Sequence, residues 1–420
     1  VWAAGPEGTG QRGAEFSWQQ PQAKVLDSGN LEWAPRPFVF EKGASVRYID
    51  FEGGDDANDG LTRATPWKHH PWDAGARGNA RSCEGVHTYV FKRGVVYRGA
   101  LVADESGRPG DPIRLTSDPT WGQGEAYLFG STAIRGGWRK ATAADAPGIP
   151  DPEGVWYHDI GVDYDPDLRT PPSGDRDHGD STKFSSMWQV ADGQVTRLHI
   201  ARDPDYSLRD PDKPTADWHT WTSFEKSGNS NSSGRLTSPF LKGLGDKDLL
   251  DNAIVWTEHS GLMGTVHKVV PKDYDPAAGS VYLASGGGAN HSRLPRSTVH
   301  FFIENVAMFL DAPGEYFFDL DGPRPGRLYL RPAEGVDPNE AVYEVAQVRF
   351  IVRIRDRSHI EISGLHFRYN DPDDGTYGFT HPRQVAASPW RAWRVMSGGA
   401  MSAAAGSGSV IPWLPSQWSP

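Results

Sequence analysis

Asp371, Asp373 and Asp374 stand in the run Asp-Pro-Asp-Asp-Gly, directly behind the alternating stretch "SHIEISGLHFRYN" of residues 358–370. Two carboxylates held roughly 5 to 9 Å apart can hydrolyse a glycosidic bond. One protonates the leaving oxygen, and the other attacks or activates water. Crowded carboxylates also push one another's pKa up, which keeps an acid protonated at neutral pH. The same five residues make an ordinary turn, so these three aspartates are candidates and no more.

Other chemistry-bearing stretches read more simply. "GGDDANDG" at 53–60 suggests calcium, but the EF-hand pattern fails. With Gly60 in the glycine slot, Ala57 occupies a ligand position and Pro66 stands where the closing glutamate belongs. A tight turn with aspartate side chains capping the backbone fits better. "GGGAN" at 286–290 lacks the Gly-Lys-Ser/Thr of a phosphate loop. His69, His70 and His87 have no Cys or His partners at zinc spacing, and no Gly-x-Ser-x-Gly elbow exists. Asn231 and Asn290 begin glycosylation sequons of the kind that chance supplies. The single cysteine, Cys83, rules out an internal disulfide and reads as a small buried hydrophobe. No metal and no cofactor is expected.

The elements that must position these groups are strands. Ile360 and Ile362 alternate with polar residues, Ser363-Gly364 interrupts, and Leu365, Phe367 and Tyr369 alternate again. Period two on both sides of a glycine predicts two short strands that keep one apolar face through a shallow bend, all five side chains pointing inward. Similar runs occupy 46–51, 86–102 and 111–119, with turns at Gly94, Gly99 and Gly110-Asp111-Pro112. Further along, Trp188 and Val190 precede Asp192-Gly193, with Val195 beyond, which is a strong hairpin signal. Tyr316, Phe318 and Leu320 face Leu328 and Leu330 across a Gly/Pro loop.

Composition agrees. Glycine (48) and proline (33) make up nearly a fifth of the 420 residues, no long run has helical periodicity, and 16 Trp, 14 Tyr and 17 Phe supply core material. The fold class read from this is all-β. The net charge of −11, without a basic stripe, argues against nucleic acid or an anionic membrane as partner. No apolar run reaches the length of a membrane span. The opening "VWAAG" has small residues spaced like the tail of a secretory cleavage site, so the expected location is secreted or periplasmic.

Several stretches together carry a family resemblance: "YIDFEGGDDANDGLTRATPW", "VFKRGVVYRGAL", "SGRPGDPIRLTSDP", "FIENVAMFLDAPGEYFFDLDGPRPGRLYLRP" and "RSHIEISGLHF". Over roughly 46–375 the chain resembles bacterial right-handed parallel β-helix proteins of the pectate-lyase-like kind. It is nearest to their glycoside hydrolases that carry an inserted β-sandwich, the β-helix xylosidases and fucosidases. The resemblance implies a right-handed parallel β-helix interrupted by an inserted antiparallel β-sandwich. It divides the chain into a lead-in at 1–45, a β-helix start at 46–139, the sandwich at 140–345, a resumed β-helix at 346–375 and an irregular tail at 376–420. It also implies glycosidic-bond hydrolysis in plant or bacterial polysaccharide through a carboxylate pair. A polysaccharide lyase, with calcium-binding acids and a Lys or Arg base, and a non-catalytic glycan-binding module are the alternatives.

Residues 375–420 contain no Asp or Glu and show no strand alternation. In such enzymes the catalytic acids sit on later coils. The expectation is therefore a truncated or frame-shifted chain that lacks its catalytic coils, is inactive, and self-associates through an open β-helix end.

Overall fold

The computed structural model describes residues 23–25, 31–33, 38–161, 186–205, 217–227, 233–251, 253–258, 266–269, 271–284, 300–319, 322–348, 350–370 and 392–395. The described elements are almost all strands, as the composition indicates. One short α-helix, Gly78–Arg81, and a few 3-10 turns complete them.

Three sheets are built from parallel pairs. In the first, Val46–Ile49, Thr88–Arg93, Ile113–Gly122 and Ile360–Ser363 lie side by side. In the second, Val96–Arg98, Ala126–Phe129 and Leu365–Arg368 do so. In the third, Leu101–Val102 pairs with Val352–Arg353. The chain visits the sheets in turn, and their inward residues form one core containing Ile49, Tyr89, Phe91, Tyr97, Leu101, Ile113, Leu115, Leu128, Ile360, Ile362 and Leu365.

Ser363-Gly364 is the corner between the first and second sheets, sharper than the shallow bend expected. Gly364 has φ +62, and a Cβ there would lie 2.4 Å from the Phe38 ring, so the corner requires glycine. The apolar face survives the corner up to Phe367. Tyr369 departs from the expected inward row. Its φ of +57 breaks the alternation and turns it against Phe129, Trp188 and Ala346.

The end of this core next to Leu101 is plugged by the segment after Ile49. Val102 N–H donates to the Trp72 carbonyl at 3.0 Å, and the His70 ring sits 4.1 Å from Tyr89 inside the plug. The aspartates of 50–59 accept nearby backbone N–H groups, Asp55 from Ala57 and Asp59 from Leu61, each at 2.9 Å. They serve turns, as the failed calcium pattern suggested.

Between the second and third parallel sheets the chain makes a long antiparallel excursion. It leaves through Gly130–Ser131 and returns through Ala346–Val348. The two crossings are hydrogen-bonded to one another, Gln347 N–H to the Gly130 carbonyl at 2.7 Å. Arg98 clamps the junction. Its guanidinium meets both Glu344 oxygens at 2.8 Å, and Ser131 Oγ donates to the same carboxylate at 2.6 Å, with Glu344 buried.

Within the excursion, the sheet of Ser131–Arg135, Val342–Ala346, Met187–Ala191 and Gln194–Arg197 faces a five-stranded sheet. That sheet runs Arg139–Lys140, Trp156–Asp159, Arg327–Arg331, Glu315–Asp319 and His199–Ile200. Ile134, Met187, Tyr316, Phe318, Leu328, Leu330 and Tyr343 fill the space between them. The Asp192-Gly193 hairpin has both residues at positive φ and pairs Val190 with Val195. Tyr316 pairs with Leu330 and Phe318 with Leu328, while Leu320 lies outside the described residues. The opposite face of the five-stranded sheet presents Tyr157, Phe317 and Tyr329 to a second core. That core is shared with two further antiparallel sheets through Trp221, Leu236, Val255, Val281, Phe301 and Ile303.

Ala392–Val395 lies antiparallel on Ile360–Ser363, a strand in a stretch where the sequence shows no alternation. Backbone pairing along an open sheet edge needs only an extended partner, which explains why side-chain patterning did not announce it.

Candidate functional site

Asp371, Asp373 and Asp374 lie outside the described residues, as do Asn231, Asn290 and the 286–290 loop. The described residues bring a different set of carboxylates together. Asp311 and Glu315 flank the turn Ala312-Pro313-Gly314, whose Gly314 has φ +88. That reversal returns the chain so that the two acids meet at the head of the strand Glu315–Asp319. Tyr316 and Phe318 face the first antiparallel core, so period two sends Glu315 to the opposite face with Phe317. Asp205 arrives from elsewhere, on the segment that follows the pairing of Arg202–Asp203 with Ile303–Glu304. Carboxylate oxygens of Asp205, Asp311 and Glu315 all lie within 4.8 Å of one another.

The environments differ. Asp205 and Asp311 are exposed, whereas Glu315 is 3% exposed. Its Oε1 accepts from Arg202 N–H and its Oε2 from Ala312 N–H, both at 3.3 Å. These long bonds do not offset burial, and the negative charges of Asp205 and Asp311 add to it, so the Glu315 pKa is pushed up to about 8. Burial, with Asp205 and Asp203 nearby, also raises Asp311. Across the sheet His199 is Glu315's register partner, and burial with Arg197 and Arg202 lowers it to about 4. This end of the sheet therefore holds a protonated acid and a neutral imidazole at neutral pH. Three carboxylates are a donor set that a hard cation accepts, but a cation here would first have to displace the Glu315 proton.

Asp311 also lines a cleft of about 580 Å³ at the same sheet end, with Lys140, Trp156, Arg331, Glu334 and Asp337. Lys140 pairs with Trp156 and Arg331 with Glu315, so the sheet itself sets the order of these groups. Trp156 is half-buried, with the Lys140 ammonium 5.5 Å from its ring centre. Arg331 is committed to the scaffold, donating to the Leu310 carbonyl at 3.0 Å and to that of Pro150 at 2.5 Å. The cleft thus offers an indole, an ammonium and a carboxyl group whose pKa is raised by burial and neighbouring acids. Such a set can bind a polyhydroxylated ring and give it a proton.

The sequence signal for this site was present in part. "DAPGE" places two acids across a Pro-Gly turn, but in the sequence that stretch carries only part of the family resemblance. Asp205 could not have been found, because sheet pairing alone brings it near.

No protein-family model matches the chain, and no curated protein matches it in sequence. Among solved structures, one described as "Glycoside hydrolase" aligns with 78% of this chain and 51% of its own, at TM-score 0.51 and 18% identity. A second, "The complex structure of XylC with xylose", aligns with 77% of this chain and 35% of its own, at TM-score 0.34 and 11% identity. The second likeness is too loose to carry an argument. The chain spans about half the length of the first structure, and the likeness to it is one of fold.

Proposed function

We propose that this chain is a carbohydrate-active protein of the glycosidase type, a right-handed parallel β-helix with an inserted antiparallel β-sandwich, acting on plant or bacterial polysaccharide. The observation that carries the reading is the pairing on either side of the excursion. Leu101 meets Val352, Ile113 meets Ile360 and Ala126 meets Leu365, so the coil resumes where it was left. The fold likeness to a protein described as a glycoside hydrolase supports the same reading.

In this reading, which departs from the expectation of an inactive chain, the sugar enters the cleft at Trp156 and Asp311. Asp311 protonates the leaving oxygen as its bond to the anomeric carbon breaks, and water takes its place on that carbon, giving up its proton to the Asp205 carboxylate. Glu315, neutral and buried, leaves the neighbouring charge to Asp205. Non-catalytic glycan binding is the second reading, favoured by the depth of Glu315, which keeps it from touching a substrate directly. A lyase has less support. The cleft's arginine is tied to backbone carbonyls, which removes one candidate base. The test is release of reducing ends from xylan, xyloglucan, β-glucan and pectin, followed with and without calcium. Release from a neutral glycan without calcium supports hydrolysis, whereas calcium-dependent release from pectin with an unsaturated product overturns it.

A further inference from the structure

A second group of aromatic residues, none of which lines the cleft, occupies the outer face of the sheet that holds Ile254–Glu258 and His300–Glu304. Val255, Phe301 and Ile303 point into the core, so alternation places Trp256, Phe302 and Glu304 on the other side. Trp256 stands beside Phe302 in register, with ring centres 5.9 Å apart and planes within 14°. Trp218 meets Phe302 edge-on at 4.5 Å. Phe302 is buried beneath these neighbours and the Arg202 guanidinium, 3.7 Å from its centre, whereas both tryptophans are half-buried. Trp256 Nε1–H donates to Glu304 Oε2 at 2.6 Å, which fixes the plane of the indole.

An indole held in plane on a rigid sheet is a flat apolar plate with polar groups at its rim. That shape suits the C–H face of a pyranose, whose hydroxyls then project sideways to the rim, and it loses little rotamer entropy on binding. Charge narrows the ligand. Glu304 lies at the edge, the cation Arg202 is 3% exposed, and the chain carries a net −11, so anionic glycans are repelled. We propose that Trp218 and Trp256 form a surface subsite for neutral pyranose units of a polysaccharide, built from residues other than those that line the Asp311 cleft. The proposal rests on the glycan reading above but not on catalysis.

The test is native affinity electrophoresis of the full chain in gels containing arabinoxylan, xyloglucan or mixed-linkage β-glucan, with polygalacturonate as the anionic control. Retardation is expected in at least one neutral gel and none in polygalacturonate. Trp256→Ala and Trp218→Ala should each weaken retardation at least five-fold, Trp256→Phe should keep part of it, and melting temperatures should stay within a few degrees. Any release of reducing ends from short oligosaccharides should be unchanged in these variants, whereas Asp311→Asn should lose release and keep retardation. The two sites therefore fail separately. Equal retardation of wild type and both alanine variants, retardation by polygalacturonate alone, or no retardation in any gel would overturn the subsite. So would a drop in solution mass from dimer to monomer in Trp256→Ala without any retardation, which would make the face a protein interface.

Discussion

Replacing Glu315 by glutamine tests the electrostatics of the acid cluster. Glu315 has an ordinary pKa of 4.5 when unfolded and about 8 in the fold. Between those values the folded protein keeps a proton that the unfolded chain has released, so stability falls as pH rises. The stabilisation is complete below pH 4.5 and gone above pH 8. Each pH unit is worth about 1.4 kcal/mol, so the whole window amounts to about 5 kcal/mol, less whatever water penetration relieves. Glutamine is isosteric and cannot ionise. It keeps one acceptor for the Arg202 and Ala312 N–H groups, so at pH 5 the variant should be weaker by about 1 kcal/mol. From pH 6.5, above the range where His70 is linked to folding, the variant's stability should stay nearly flat to pH 8.5, where the wild type has dropped below it. Urea unfolding of both proteins from pH 5 to 9 reads this directly, and the two curves should cross. Parallel curves would refute the argument, because the Glu315 proton would then not be linked to folding.

Three further perturbations address the scaffold. Arg98→Ala leaves Glu344 buried without its cation and should cost about 3 to 5 kcal/mol in urea unfolding, while replacing both residues with apolar ones should cost much less than the two single losses combined. His70 is fully buried, its pKa lowered well below 6.5 by burial, and its Nε2 lacks a partner, so its own contribution to stability should decline as pH falls below about 6.5, opposing the gain from Glu315. His70→Phe should flatten that decline in thermal melts at pH 4 to 7. Gly364→Ala combines a left-handed backbone with a clash against Phe38 and should cost about 2 kcal/mol or more, part of which Phe38→Ala restores in the double variant.

Local signals in the sequence were read well where the physics is local. Asp192-Gly193 declares a hairpin because both residues tolerate positive φ. Ile360, Ile362 and Leu365 declare one apolar face because strand period is a property of the backbone. Tyr369 was misread because a single residue at positive φ resets the alternation, and nothing in "HFRYN" marks that reversal. The carboxylate cluster was half legible, through Asp311 and Glu315 across a Pro-Gly turn. Its third member, like the Trp218–Trp256–Phe302 group, is assembled from strands far apart in the chain, and only pairing register brings such residues together. The depth of Glu315 was likewise invisible, because burial depends on what packs above the strand.

The most direct test of the functional account is hydrolysis by Asp311→Asn. Wild type and variant are incubated with the neutral polysaccharide that yields most reducing ends, with melting temperature as the control for folding. The account predicts at least a hundred-fold loss of release in Asp311→Asn, with melting within a few degrees of wild type, and near-normal release in Asp373→Asn and Asp374→Asn. Unchanged release in Asp311→Asn, together with loss in either of the other two, would contradict it and move the chemistry to the turn after Asn370.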